Sequence, residues 1–296
     1  VHPPYDEAAI AAARRRHAET IRATLARWRV DLVHMHGFDF DAYLPSPDTP
    51  VLATLHCPAS WYAPQALHPT TRTVWLNAVS KCQHDEVYPN DRLIGVVENG
   101  VLVEAFSTCH VRRSFALVLA RIAPEKGIRE ALAAARMADL PILIAGELFP
   151  YPDHQRYFAQ ELAPLLDRKR RYVGRVGFAR KRQLLATARC VVIPSLQNET
   201  SSLVLREAFA AGTPVVAFRR GALVEAIDSG RTGFLVDSIP EMAAAMKDAG
   251  ALDADACRAT ARERFSLERM VEGYVNLYEE VIRRSKAADA SMEMSP

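Results

Sequence analysis

The feature that most constrains this chain is its alternation of short apolar runs with longer helix-periodic stretches. Before residue 100 the runs are Asp31–His36, Val51–His56, Val74–Val79 and Leu93–Val97. After it come Phe115–Ala120, Pro141–Ala145, Tyr172–Gly174, Cys190–Pro194 and Pro214–Ala217. These runs do not alternate polar with apolar, and strands buried on both faces of a parallel sheet read this way. Residues 7–28, 127–138, 154–166, 179–188, 202–211 and 222–228 read as helices, as does the tail over 239–285. In the first helix Ile10, Ile21, Leu25 and Trp28 fall on one stripe. Strand–helix alternation of this kind implies βαβ units and a right-handed, doubly wound α/β architecture.

The rhythm breaks over Val103–Arg113 and restarts at Phe115. Two α/β domains are therefore expected, over 1–105 and 106–268, with 269–296 a helix that crosses back to the first domain and ends in a polar tail. A chain of 296 residues suffices for both. Ligands of such sheets sit at the C-terminal ends of the strands, and a cleft between two of them is a natural substrate site.

Composition excludes other classes. Lys and Arg total 37 against 35 Asp and Glu, a formal net charge of +2, without the basic excess of a nucleic-acid binder. At 49% hydrophobic residues the chain can build a core and is not disordered. Cys57, Cys82, Cys109, Cys190 and Cys257 are scattered and contain no C-x-x-C, which fits neither a disulfide framework nor a zinc site. A reducing, cytoplasmic compartment is expected. The apolar runs are far shorter than the ~18 residues that mark a membrane span, and the opening Val-His-Pro-Pro-Tyr has no signal-peptide features. No G-x-G occurs; Gly174-x-x-Gly177 and Gly230-x-x-Gly233 come nearest, so the dinucleotide fingerprint is absent.

The richest stretch runs from Pro194 to Val236. A buried strand ends in a polar loop, Glu199-Thr200-Ser201-Ser202, and a helix follows. Ser and Thr suit its N-cap, and the exposed N–H groups and dipole there favour an anion such as phosphate. Glu199 and Glu207 could face one cleft and accept hydrogen bonds from hydroxyls. Alone, this E-x7-E spacing reads as a helix cap at Glu199 and a solvated surface charge at Glu207, because such spacing is common by chance. A second block, Arg121-Ile-Ala-Pro-Glu125-Lys126-Gly127, follows the Phe115–Ala120 strand. Arg at a strand end and Lys at a helix start can clamp a diphosphate, one bidentate and one as a point charge.

Taken in order, these blocks resemble the donor-binding half of the family 4 glycosyltransferases. The matching elements are Pro194-Ser195, Glu199/Glu207, Gly212-Thr213-Pro214-Val215-Val216, Gly221/Glu225 and Gly230-x-Thr232-Gly233-x-Leu235-Val236. Arg121–Gly127 resembles the family's R-x-x-x-E-K-G, with Ala120 in place of a preceding Gly. Asn77–Lys81, Glu98–Val101 and Thr54-Leu55-His56 resemble segments of its first domain. The resemblance implies the GT-B fold, two Rossmann-like domains facing a cleft, and a retaining, metal-independent hexosyltransferase. The donor would be a nucleotide sugar such as a UDP- or GDP-sugar, taken as substrate with no cofactor. The acceptor would be a sugar, a lipid-linked molecule or another small molecule. Arg121, Lys126, Glu199 and His56 would serve catalysis, and Glu207 the ribose, with Thr200, Ser201, Ser202, Leu203 and Val176 completing the donor site. A silent sugar-nucleotide-binding or scaffold subunit of the same fold is the alternative.

Thr200-Ser201-Ser202 stands where the family often has Phe-Gly, and Ala222 where it often has a second Gly. The family's opening strand and Gly-rich loop have no counterpart in this sequence, so an upstream segment is expected. Asp39-x-Asp41 and Asp253-x-Asp255 read as turn and cap residues, and His34 and His36 share one strand face. Arg168–Arg171, Arg175 and Arg180–Arg182 form a basic cluster, most of it a solvated face, with weak contact to an acidic inner-membrane surface as the other reading.

Overall fold

A computed structural model describes residues 6–107 and 114–293, with side chains described to 287. Cys109 and part of the expected Val103–Arg113 break lie outside the described residues. The chain divides into two compact units, Val1–Glu98 with Val271–Pro296, and Asn99–Met270. The division thus falls at Glu98/Asn99 rather than at 105/106, and residues from Val271 onward belong to the first unit.

The first unit holds a four-stranded parallel sheet in the order β1 (Val33–Met35), β2 (Val51–Leu55), β3 (Val74–Ala78) and β4 (Leu93–Val96). Both central strands are buried along their whole length, which is why they read as unbroken apolar runs. Val51, Ala53, Leu55, Leu76 and Ala78 join Met35, Phe40 and Tyr62 in one core. The opposite face carries buried polar groups, Thr54 and Asn77. The Leu267–Glu293 helix meets this face through Tyr274 and Tyr278, and the Arg284 guanidinium lies 5.2 Å from the Trp75 ring centre. The Glu7–Arg27 helix buries no residue completely. Ile10, Ile21 and Leu25 are half-buried. Trp28 does not join their stripe: it lies past the helix end and is 60% exposed.

The second unit holds a six-stranded parallel sheet. Its strands are β5 (Ala116–Leu119), β6 (Ile142–Ala145), β7 (Arg170–Tyr172), β8 (Cys190–Ile193), β9 (Val215–Phe218) and β10 (Gly233–Val236). Their order is β10-β9-β8-β5-β6-β7. Successive residues feed opposite cores. Leu117, Val191 and Val215 face one cluster; Ala116, Val118, Cys190, Val192 and Val216 face the other. Two strand readings need correction. β10 falls in a stretch read only as a motif. β7 begins earlier than Tyr172 and carries two arginines, neither of them fully buried. The helix expected over 154–166 is Pro152–Tyr157, followed by a π turn to Leu162 and a 3-10 turn over Ala163–Leu165. Pro164 has no N–H to continue an α-helix. No helix among the described residues is long and apolar enough to cross a membrane.

Candidate functional site

From β5 the chain runs to β6 on one side, while β8 lies on the other. The strand order therefore reverses between β5 and β8, which pair directly. In open parallel sheets that reversal leaves a crevice at the C-terminal strand ends, where ligands bind. Arg121 and Lys126 follow β5, and Ser195, Glu199 and Ser202 follow β8. These five line a cavity of about 250 Å³.

Local backbone geometry holds the crevice together. Gly127 has φ +61°, and a Cβ there would lie 1.9 Å from the Pro194 carbonyl oxygen. Only glycine lets the loop after β5 lie against the loop after β8. Gly221, at φ +52°, does the same for the Glu199 backbone, where a Cβ would stand 2.4 Å from the carbonyl oxygen. The Ala222 N–H donates to that oxygen at 2.7 Å. Ser202 caps the Leu203–Ala210 helix, its Oγ accepting from the Leu205 N–H at 3.3 Å. The N–H groups of Leu203 and Val204 open the helix without intrahelical acceptors. Ser201 Oγ accepts from Asn99 Nδ2 at 2.9 Å.

The site's charges are already paired. Lys126 Nζ donates to Glu199 Oε1 at 2.6 Å, and Ser195 Oγ donates to the same oxygen. Both members of the Lys126–Glu199 pair are mostly covered, at 25% and 15% side-chain exposure. Arg121 stands more open, 3.3 Å from Glu125. Glu207 is no solvated surface charge: its Oε1 accepts from Lys181 Nζ at 2.6 Å and its side chain is 14% exposed. Lys181 also lies 5.5 Å from the Phe106 ring and 5.6 Å from Phe178. Glu207, Thr200 and Val176 do not line the Arg121–Glu199 cavity. Val176 sits between β7 and the Phe178–Thr187 helix and packs on the core.

Lys181 is the residue that sequence reasoning missed, because it lies within the run read as a solvated basic face. Three other members of that run pair with acidic neighbours: Lys169 with Asp139, Arg170 with Asp167 and Arg175 with Glu147. Asp253 caps a helix as expected, accepting from the Asp255 N–H.

In the first unit, β1 and β2 end in three histidines. His36 Nδ1 lies 3.0 Å from His56 Nε2. His34 bridges Tyr278 OH at 2.8 Å and Thr54 Oγ1 at 2.7 Å. Burial pushes all three imidazoles below the ordinary value, His34 to about 4, with its histidine neighbours adding to the effect. They are neutral near pH 7. The Tyr62 oxygen accepts from the His56 and Cys57 N–H groups at 2.8 and 3.1 Å, which fixes the backbone at the strand end. Burial pushes that phenol up to about 12. Among the described residues no cluster of three or more His, Cys, Asp or Glu could hold a metal ion.

Residues 114–250 match the family model Glycosyl transferases group 1. The group 1 match covers the strand and loop segments that build the crevice. Over 143 residues the chain is 38% identical to the phosphatidyl-myo-inositol mannosyltransferase of Mycolicibacterium smegmatis, covering 46% of this chain and 35% of that protein. The chain therefore spans about a third of the length of this curated relative. Among solved structures, sucrose-phosphate synthase from Thermosynechococcus elongatus superimposes with a TM-score of 0.75 at 19% identity, over 94% of this chain and 80% of that one. The Anabaena protein Alr3699/HepE, solved in complex with UDP and glucose, gives 0.72 at 18% identity, over 89% and 81%. With two parallel-sheet α/β units and these neighbours, the fold is GT-B.

Proposed function

We propose that the protein is a retaining glycosyltransferase that moves a hexosyl-type sugar from a nucleotide-sugar donor to an acceptor hydroxyl, with no metal ion. The observation that carries this reading is the convergence of Arg121, Lys126 and Glu199 with the start of the Leu203–Ala210 helix where the strand order reverses. Two cations and a helix N-terminus suit a diphosphate. The carboxylate oxygens of Glu199 and Glu207 accept hydrogen bonds and suit sugar and ribose hydroxyls. The UDP in the Anabaena neighbour supports a nucleotide donor. The match to the group 1 model supports sugar transfer as the reaction.

Without a donor, Lys126 and Glu199 neutralise each other. A bound diphosphate replaces Glu199 as the partner of Lys126, and Glu199 then turns to the sugar hydroxyls. In the reaction the bond between the sugar anomeric carbon and the phosphate oxygen breaks, and a bond to the acceptor oxygen forms on the same face. The acceptor proton passes to the departing phosphate oxygen. Arg121 and Lys126 stabilise the charge that grows there. His56, neutral at pH 7, serves as a hydrogen-bonding group toward the transferring sugar. A reducing, cytoplasmic setting is part of this reading.

Thermal unfolding with UDP, GDP, ADP, TDP and CDP tests the proposal. One nucleotide at ~100 times its dissociation constant stabilises by about 2.7 kcal/mol, and Glu207→Ala abolishes the shift. No shift with any nucleotide overturns the donor site. A nucleotide shift with no transfer from a panel of sugar donors leaves only the silent binding subunit.

A further inference from the structure

An open hollow of about 410 Å³ lies where β3 and β4 of the first unit begin. Arg72 and Arg92 line it from the turns that lead into β3 and β4, and Trp75 from β3 itself. Arg283 and Arg284 line it from the Leu267–Glu293 helix. The histidine cluster sits at the opposite edge of this parallel sheet, where β1 and β2 end. The hollow is therefore separate from that cluster.

Four guanidiniums meet at this hollow, and carboxylates offset only part of their charge. Glu280 pairs with both Arg283 and Arg284. Asp91 acts on Arg92, yet among the described residues neither Arg72 nor Arg92 forms an ion pair. Arg92 donates one amino group to the Arg72 carbonyl at 2.8 Å. Burial first, and the Arg72 charge second, hold the Arg92 guanidinium below its ordinary value. Trp75 is what gathers the cations: the guanidinium carbons of Arg92 and Arg284 lie 4.8 and 5.2 Å from its ring centre. A ring face attracts cations without cancelling their charge. Trp75 is only 8% exposed, and its buried indole N–H has no acceptor among the described residues. A buried donor left so carries a desolvation cost.

Uncompensated arginines beside an unsatisfied N–H select an anion rich in acceptors. The guanidinium forks come from two elements, the sheet edge and the helix, so they converge from different directions. A planar carboxylate engages one fork, whereas the tetrahedral oxygens of a phosphate group can meet several. Two linked phosphates can bridge from Arg72 and Arg92 to Arg283 and Arg284. A ligand held from both sides favours the state in which helix and sheet are docked, because it binds that state and not the separated one.

We propose that this hollow binds a compact oligophosphate, and that the bound anion fastens the Leu267–Glu293 helix to the first unit's sheet. The site is distinct from the Arg121–Lys126 crevice and does not rest on the glycosyltransferase reading. Calorimetric titration of the full chain with inorganic pyrophosphate tests it, beside citrate and beside vesicles of phosphatidylcholine with or without phosphatidylglycerol. The expected result is pyrophosphate binding that persists in Lys126→Ala and weakens about tenfold or more in Arg72→Gln. Arg283→Gln, at a side chain 68% exposed, should weaken it in the same direction without harm to the fold. Trp28→Phe with Trp61→Phe leaves Trp75 as the one indole of the chain, and its emission should change along the same titration. Amide exchange over residues 274–284 should slow when pyrophosphate is bound. No heat with pyrophosphate, binding lost in Lys126→Ala, binding unchanged in both arginine variants, or citrate bound as tightly overturns the site. Arg72-dependent capture by the anionic vesicles alone, without pyrophosphate binding, assigns the arginines to a membrane surface and overturns it too. Binding with unchanged exchange over 274–284 overturns the fastening of the helix.

Discussion

At the scale of single residues, glycine decides whether the crevice exists. Gly127 has a left-handed backbone and stands against the Pro194 carbonyl. Gly127→Ala adds a Cβ that must displace backbone and also strains φ. We expect a loss of about 2 kcal/mol or more, read as a lower urea midpoint at constant m-value. An unchanged midpoint would show that the Pro194 loop can retreat at no cost. The residue types at the site were legible: Arg121, Lys126, Glu199 and Ser202 were expected there, and the cavity collects all four. Their pairing was not. Lys126 and Glu199 are 73 positions apart, and Lys181 and Glu207 are 26 apart. No local pattern encodes a partner that the sheet order supplies.

At the scale of elements, caps and edges explain what sequence patterns captured and what they missed. Ser202 was expected at an N-cap and occupies one, while its helix packs Leu205, Ala208 and Phe209 into the core. Ser202→Ala removes the bond to the Leu205 N–H and should cost about 1 kcal/mol. Thermal or urea unfolding measures it, and Ser202→Thr should recover most of the loss. If alanine matches wild type, another group satisfies the Leu205 N–H. Strands with neighbours on both sides were readable because both of their faces are buried. β7 was misplaced because two of its three residues are arginines, so it has no apolar run to read.

At the scale of the whole molecule, the two units should answer acid differently. The resolved histidine shifts, at His34, His36 and His56, lie in the first unit, and all run downward. A histidine kept neutral in the fold but able to protonate when unfolded destabilises the fold as pH drops below the unfolded value of 6.5. For His34 the loss continues until the folded group itself titrates near 4. The first unit should therefore lose stability between about pH 6.5 and 4. Hydrogen exchange resolved by unit measures this, and His34→Gln should flatten the first unit's slope. Equal slopes in both units would refute the assignment to the histidine cluster.

The sequence by itself determined the parallel α/β class, most strand and helix positions to within a few residues, and the residue types available to hold a phosphate. These follow from local information: apolar periodicity, caps, glycines and loop composition. Only the tertiary structure decided that β5 and β8 are neighbours, that Lys126 meets Glu199 and that Lys181 meets Glu207. The reason is physical. Strand order and helix docking are set by how whole faces exclude water together, and a contact between distant residues has no signature in either residue's own neighbourhood.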